Sequence, residues 1–337
     1  MRNPIFNTEI TRLLNIAHPL LCGGLGPGVS DGAYVAAVVN AGGMGFIVSS
    51  GYDNPEDFEA ELATCRNRVG DKGFGVNLYI SRIAGGVERV LDLLPLLSRY
   101  GVTCVETAGA SPAEIIPRLK EMGITVLHKI PALRYIATAE RVGADAVIVV
   151  GQECGGHPGI YMIGSIVQAA LAPFETRLPT IAAGGFATGR QLVAALAMGN
   201  GAILMGSRMM VAEELWINQK FKEFVVSADG TESVVAKKAF RDNHRILDND
   251  TAKAILQLEA EGVTDFDTYR PHFTGKLTRA HYQSGDPSRG TFDWGHSIAF
   301  ANRIATVEEI FDEIIDDAVK ARDRLAELAL PTDGGRA

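Results

Sequence analysis

The stretch Ala146-Val147-Ile148-Val149-Val150, followed by Gly151-Gln152-Glu153-Cys154-Gly155-Gly156-His157-Pro158-Gly159, decides the fold. Five consecutive apolar residues, mostly β-branched, read as a strand buried on both faces, as parallel sheets require. The glycine-rich segment after it reads as a loop that approaches something closely. The same unit of short apolar run, glycine-bearing loop and longer amphipathic stretch recurs on both sides. The apolar runs fall at 19–23, 44–49, 73–78, 102–107, 124–129, 146–150, 179–183 and 202–206. Helices are expected between them, among others at 30–41, 54–69, 112–122, 132–142 and 188–198. Eight βα units favour a TIM (β/α)8 barrel over a doubly wound sheet, which usually has about five to seven strands.

Beyond the eighth run the pattern changes. Residues 213–295 are more polar and hold three of the seven histidines, His244, His272 and His281, with His296 directly after them. They read as an inserted, mostly helical subdomain after strand eight. The barrel then comprises 1–212 and 296–330. Its last helix is announced by Thr306-Val307-Glu308-Glu309, a capping box ahead of Ile310, Phe311, Ile314, Ile315, Ala318 and Val319 at helical spacing. Residues 331–337 read as a frayed tail.

Composition narrows the function. The 337 residues carry 32 Lys plus Arg against 40 Asp plus Glu, a net charge of −8, which disfavours nucleic acid or an anionic membrane as partner. The most apolar window, 192–206, is broken by Gly199-Asn200-Gly201 and falls short of the ~20 residues a membrane span needs. The first residues lack the apolar core of a signal peptide, and Cys22, Cys65, Cys104 and Cys154 form no C-x-x-C pair. Free thiols, a cytoplasmic location, no metal site and a small-molecule substrate are the expectations.

In such a barrel the chemistry sits at the C-terminal ends of the strands. Those positions hold Cys22-Gly23-Gly24-Leu25-Gly26, Asn77, His128-Lys129, the loop 151–159, Gly184-Gly185 and Gly206-Ser207-Arg208. Glycines after strands seven and eight suit a phosphate held by backbone N–H groups, the alternative being simple tight turns. Gly184 to Gln191 has the glycine spacing of a P-loop but places Arg190 and Gln191 where Lys and Ser or Thr are needed. Gly24-Leu25-Gly26-Pro27-Gly28 lacks the final spacing of a dinucleotide fingerprint. His157, between glycines on a loop, is the acid/base candidate, against a purely structural histidine. Cys154 as nucleophile, and Lys129 as a Schiff-base lysine or as a contact to an anionic cofactor edge, stay open. Besides an oxidoreductase, a Lys129 lyase and a non-catalytic phosphate-ligand binder remain as other classes.

Gln152 to Gly159, then Ile181-Ala182-Ala183-Gly184-Gly185-Phe186-Ala187-Thr188-Gly189-Arg190, Ala197-Met198-Gly199 and Met205-Gly206-Ser207-Arg208, resemble the nitronate monooxygenase (2-nitropropane dioxygenase-like) family. The likeness runs in order through His18-Pro19, Gly75-Val76-Asn77-Leu78, Val105-Glu106-Thr107-Ala108-Gly109, Leu127-His128-Lys129 and Tyr282-Gln283-Ser284-Gly285-Asp286. It implies an FMN-dependent barrel with a helical domain over the flavin. By motif, Gly23 and Gly24 would lie along the flavin, Asn77 and Lys129 would bond its ring or ribityl region, and Gly151 would approach the ring. Gly184, Gly185, Gly206 and Ser207 would hold the phosphate, with His157 as base or substrate-orienting group. Tyr282 and Trp294 would line a pocket for a second substrate. Cys22 stands where many relatives have Gln, and Val150 where some have Asp. The expected reaction is oxidation of alkyl nitronates with O2. The alternative is an NAD(P)H:quinone reductase or enoyl-thioester reductase on the same barrel, with NAD(P)H as co-substrate. A homodimer is compatible with the resemblance.

Overall fold

The computed structural model describes residues 2–80 and 86–329. The tail 331–337 lies outside the described residues. Eight parallel strands close into a barrel in sequence order, with β1 hydrogen-bonded to β8. They are β1 Leu20–Cys22, β2 Met44–Val48, β3 Gly75–Ile80, β4 Cys104–Gly109, β5 Thr125–Ile130, β6 Ala146–Val150, β7 Thr180–Ala183 and β8 Ala202–Met205. Each expected apolar run carries one of them. Strand β6 is buried at every residue, as its five apolar side chains require.

Helix α1 Glu9–Leu14 precedes the barrel. The crossovers are α2 Gly32–Asn40, α3 Pro55–Val69, α4 Gly86–Arg99, α5 Ile116–Glu121, α6 Ile136–Val142, α7 Ser165–Glu175 and α8 Gly189–Ala197. Two begin later than their hydrophobic pattern suggests. Ahead of α5 the Pro112 carbonyl accepts from both Ile115 and Ile116, making a turn first, and a 3-10 turn at Leu133–Tyr135 precedes α6.

The region after β8 holds α9 Gln219–Val226, α10 Asp250–Ala260, α11 Phe266–Tyr269 and α12 Gly275–Ser284. It also holds an antiparallel pair, β9 Ser233–Ala236 and β10 His244–Leu247, that helical periodicity did not announce. The chain returns through α13 Val307–Leu328, capped by Thr306 and Glu309 in the expected box. Ile310, Phe311, Ile314, Ile315 and Ala318 of α13 are buried against the barrel. Each such aliphatic or aromatic side chain contributes roughly 1.5–3 kcal/mol by leaving water. Among the described residues no helix is long and apolar enough to cross a membrane.

Candidate active site

The open end of the barrel is organised around a carboxylate that is 0% exposed, Glu106 on β4. Asn77 on β3 is its register partner, and the Asn77 amide donates to Glu106 Oε1 at 3.1 Å. The N–H of Gly24 donates to Oε2 at 3.4 Å. The third partner is the Lys129 ammonium on β5, in direct ion-pair contact. A buried carboxylate costs several kcal/mol unless such partners offset its desolvation. Lys129 stays partly open on its other side, with its side chain 24% exposed. Ser49 braces the middle of β3 by donating its hydroxyl to the Asn77 carbonyl at 2.9 Å.

The next strand residue, His128, packs differently from Lys129. It is buried, its Nδ1 lies 2.9 Å from the Thr107 hydroxyl, and burial pushes its pKa down to about 4.

The loop after β6 is clamped from two sides. Glu153 accepts the N–H and hydroxyl of Ser165 at 2.8 and 2.5 Å. Gly156 exchanges backbone hydrogen bonds with Arg245 of β10, at 3.0 and 2.7 Å, and the Arg245 Nε donates to the Gln152 carbonyl at 3.0 Å. A Cβ on Gly151 would sit 2.0 Å from Ser165 Oγ, so close packing on the start of α7 already demands a glycine there. Cys154 has its thiol pushed up to about 12 by burial, which leaves it protonated and a poor nucleophile.

His157 emerges from this loop with its side chain 42% exposed, and its Nε2 is 3.7 Å from Asp242 Oδ1. Its ring stacks on His244 with centroids 4.4 Å apart and planes at 13°. His244 Nε2 is 2.6 Å from Asp293, and burial, reinforced by the neighbouring His157, pushes the His244 pKa down to about 4. Burial works to raise Asp242, but His157 and Lys237 outweigh it and hold the carboxyl well below its usual range. Lys237 and Arg241 flank the short turn before Asp242 in left-handed backbone, at φ 61° and 53°. Such backbone in non-glycine residues costs about 1–3 kcal/mol and clusters where a side chain must be aimed.

Across the barrel mouth, Gly184 and Gly185 adopt φ of 91° and 79°, the left-handed region that glycine enters without strain. The Cβ position of Gly206 has only Leu25 Cδ2 near it, at 3.9 Å, so the space above this loop is open. Ser207 is buried and its Oγ accepts from the Gly295 N–H at 2.9 Å, leaving its own hydroxyl hydrogen available. Arg208 turns instead toward Glu313 of α13 at 3.4 Å. A glycine-lined opening with the Ser207 hydroxyl beside it, across the mouth from Asn77 and Lys129, suits a phosphate-bearing ring cofactor.

Two expected residues lie elsewhere. Tyr282 and Trp294 are 1% and 0% exposed, in a cluster where Phe221 stands 4.8 Å from Tyr282 and 6.5 Å from Trp294. Both are buried in this aromatic cluster, which shares one continuous core with barrel residues such as Leu20 and Met205. Glu106, Asp242 and His244 were not anticipated as site residues. A glutamate in an otherwise apolar strand run was a usable signal for the first. Nothing local ties Asp242 to a loop 85 positions earlier.

A closed barrel with its polar and glycine-rich groups gathered at one end is the frame of an enzyme, and the family match makes it a flavin-dependent oxidoreductase. A family model described as nitronate monooxygenase matches residues 7–89 and 83–317, and the chain belongs to that family. It is 28% identical to the (3aS,4S,5R,7aS)-5-hydroxy-7a-methyl-1-oxo-octahydro-1H-indene-4-carboxyl-CoA dehydrogenase of Rhodococcus jostii, over 95% of this chain and 98% of that one. It is 25% identical to a probable nitronate monooxygenase of Staphylococcus saprophyticus, over 86% and 90% of the two chains. The solved structure of FabK from Thermotoga maritima superposes with a TM-score of 0.87 at 30% identity, covering 96% of this chain and all of that one.

Proposed function

We propose that this chain is an FMN-dependent oxidoreductase of acyl thioesters in which His157 exchanges a proton at the carbon beside the carbonyl. The observation that carries the reading is the setting of His157, a part-exposed imidazole at the barrel mouth, supported by Asp242 and stacked on a buried second imidazole. A thioester acidifies the adjacent C–H, and a positioned imidazole can take or return that proton near neutral pH. The thioester class is supported by the Rhodococcus relative, whose name specifies a CoA ester and which aligns along nearly the full length of both chains.

FMN would supply the acceptor or donor of two electrons. Gly184, Gly185, Gly206 and Ser207 would bind its phosphate through backbone N–H groups and a hydroxyl. Asn77 and Lys129 would bond the polar part of the ring or ribityl chain, with Gly23, Gly24 and Gly151 alongside. The insert, through Arg245 and Asp293, would hold the His157 loop and His244 in place and restrict water. The four free cysteines fit a reducing, cytoplasmic setting.

Oxidation of alkyl nitronates with O2 is the second reading, favoured by the family match and the Staphylococcus relative. A nitro group acidifies its neighbouring C–H as a thioester does, so His157 would take that proton where the neutral nitroalkane is the substrate and would only orient a preformed nitronate.

The test is the visible spectrum of FMN-loaded protein under anaerobic conditions. Bleaching by an acyl-CoA, or by NADH or NADPH followed by recovery with an enoyl-CoA, supports the thioester reading. Bleaching by an alkyl nitronate alone transfers the assignment to nitronate oxidation. Failure to take up any flavin overturns both.

A further inference from the structure

We propose that Glu106 is a positioning residue that neutralises Lys129 from inside the barrel and thereby holds the reduction potential of the bound flavin low. The inference rests on the FMN reading above. Glu106 is wholly buried beneath the mouth, whereas its three partners, Lys129, Asn77 and the Gly24 N–H, are groups assigned to the cofactor. A ligand above them would meet the Lys129 ammonium and the Asn77 amide without touching the carboxylate below.

Packing does not explain the carboxylate. Strand β4 around it is Cys104, Val105, Thr107 and Ala108, and an uncharged side chain of equal size fills the same space without the desolvation cost. What only the charge provides is compensation of Lys129, so that the pair presents a dipole instead of a free cation. Reduced flavin is anionic at neutral pH, and charge near the ring tunes its electronics. A free lysine would stabilise the reduced form. A neutralised one does so much less, which makes the bound flavin a better electron donor.

The experiment measures midpoint potentials by equilibration with reference dyes, on wild type, Glu106→Gln and the double variant Glu106→Gln/Lys129→Met. Glu106→Gln leaves Lys129 uncompensated and is expected to shift the oxidised-to-reduced ratio at fixed poise at least tenfold toward reduced, about 30 mV for a two-electron couple. The double variant removes both charges and is expected to return within about threefold of wild type on the same scale. A Glu106→Gln potential equal to wild type, or a double variant as high as Glu106→Gln, overturns the proposal. Should Glu106→Gln fail to fold, Lys129→Met alone must lower the potential, and an unchanged value overturns it. Wild type that binds no FMN would instead refute the cofactor assignment.

Discussion

Two imidazoles stacked 4.4 Å apart cannot both carry charge cheaply, and burial disfavours the charge on His244. His244 stays neutral at pH 7, so a proton arriving at His157 meets Asp242 and no competing imidazolium. Replacing His157 by Asn is therefore expected to cut turnover by about 10²- to 10⁴-fold, the usual worth of a positioned acid/base. Flavin content should not change. Steady-state rates beside absorbance-based FMN stoichiometry check this, and a variant with full turnover would remove His157 from the chemistry. A second residue-scale consequence concerns acid stability. His128 and His244 have folded pKa values of about 4 against 6.5 ordinarily, so between these values the unfolded chain binds more protons. Their stabilising effect is complete above pH 6.5 and is lost as the pH falls toward 4, on the order of 3 kcal/mol for each. In urea unfolding at pH 7 and 4.5, His128→Gln should lose roughly 2 kcal/mol less than wild type across that interval. Equal losses would show that His128 is not held neutral by burial.

At the scale of elements, α8 and α13 approach closely on the barrel's outside. A Cβ on Gly189, the first residue of α8, would lie 2.1 Å from both the Ala318 nitrogen and the Ile314 carbonyl oxygen. Both are backbone atoms that cannot rotate away, and Asp317 meanwhile accepts the Arg190 N–H at 2.8 Å. Gly to Ala in a helix ordinarily gains up to about 1 kcal/mol. At this position the sign inverts, and Gly189→Ala should lose about 1–3 kcal/mol, measured by denaturant unfolding. A neutral or stabilising result would mean that α13 shifts freely. The elements were legible in sequence wherever burial is two-sided, because a run such as β6 admits no other reading. The β9–β10 pair was not legible, since its strands have four residues each and three positions of β9 are only half buried. The burial of Tyr282 and Trp294 was not legible for a related reason: an aromatic residue looks the same in sequence whether it faces a pocket or another element.

For the whole molecule, the part of the candidate site that sequence offers is the part contiguous in the chain: Gly184-Gly185 after β7, Gly206-Ser207 after β8 and the loop bearing His157. The Asn77–Glu106–Lys129 cluster and the His157–Asp242–His244 group arise only when the barrel closes and the β9–β10 pair docks on it. This docking bears on whether 213–295 is a separate folding unit. Phe221, Tyr282, Phe292 and Trp294 belong to one continuous core with barrel residues such as Leu20, Met205 and Ile203. The insert's own cluster of buried residues is only Ala236, Ile246, Ala252, Ile255 and Tyr269, too few to fold alone. Barrel and insert should therefore unfold in one transition, although the proposed FMN contacts lie on barrel residues. FMN at about 100 times its Kd should raise the stability of that single transition by about 2.7 kcal/mol. Differential scanning calorimetry of apoprotein with and without FMN checks it through the Tm. Two transitions, with only one moved by FMN, would show that the insert folds on its own and that the shared aromatic core is a docking surface between independent domains.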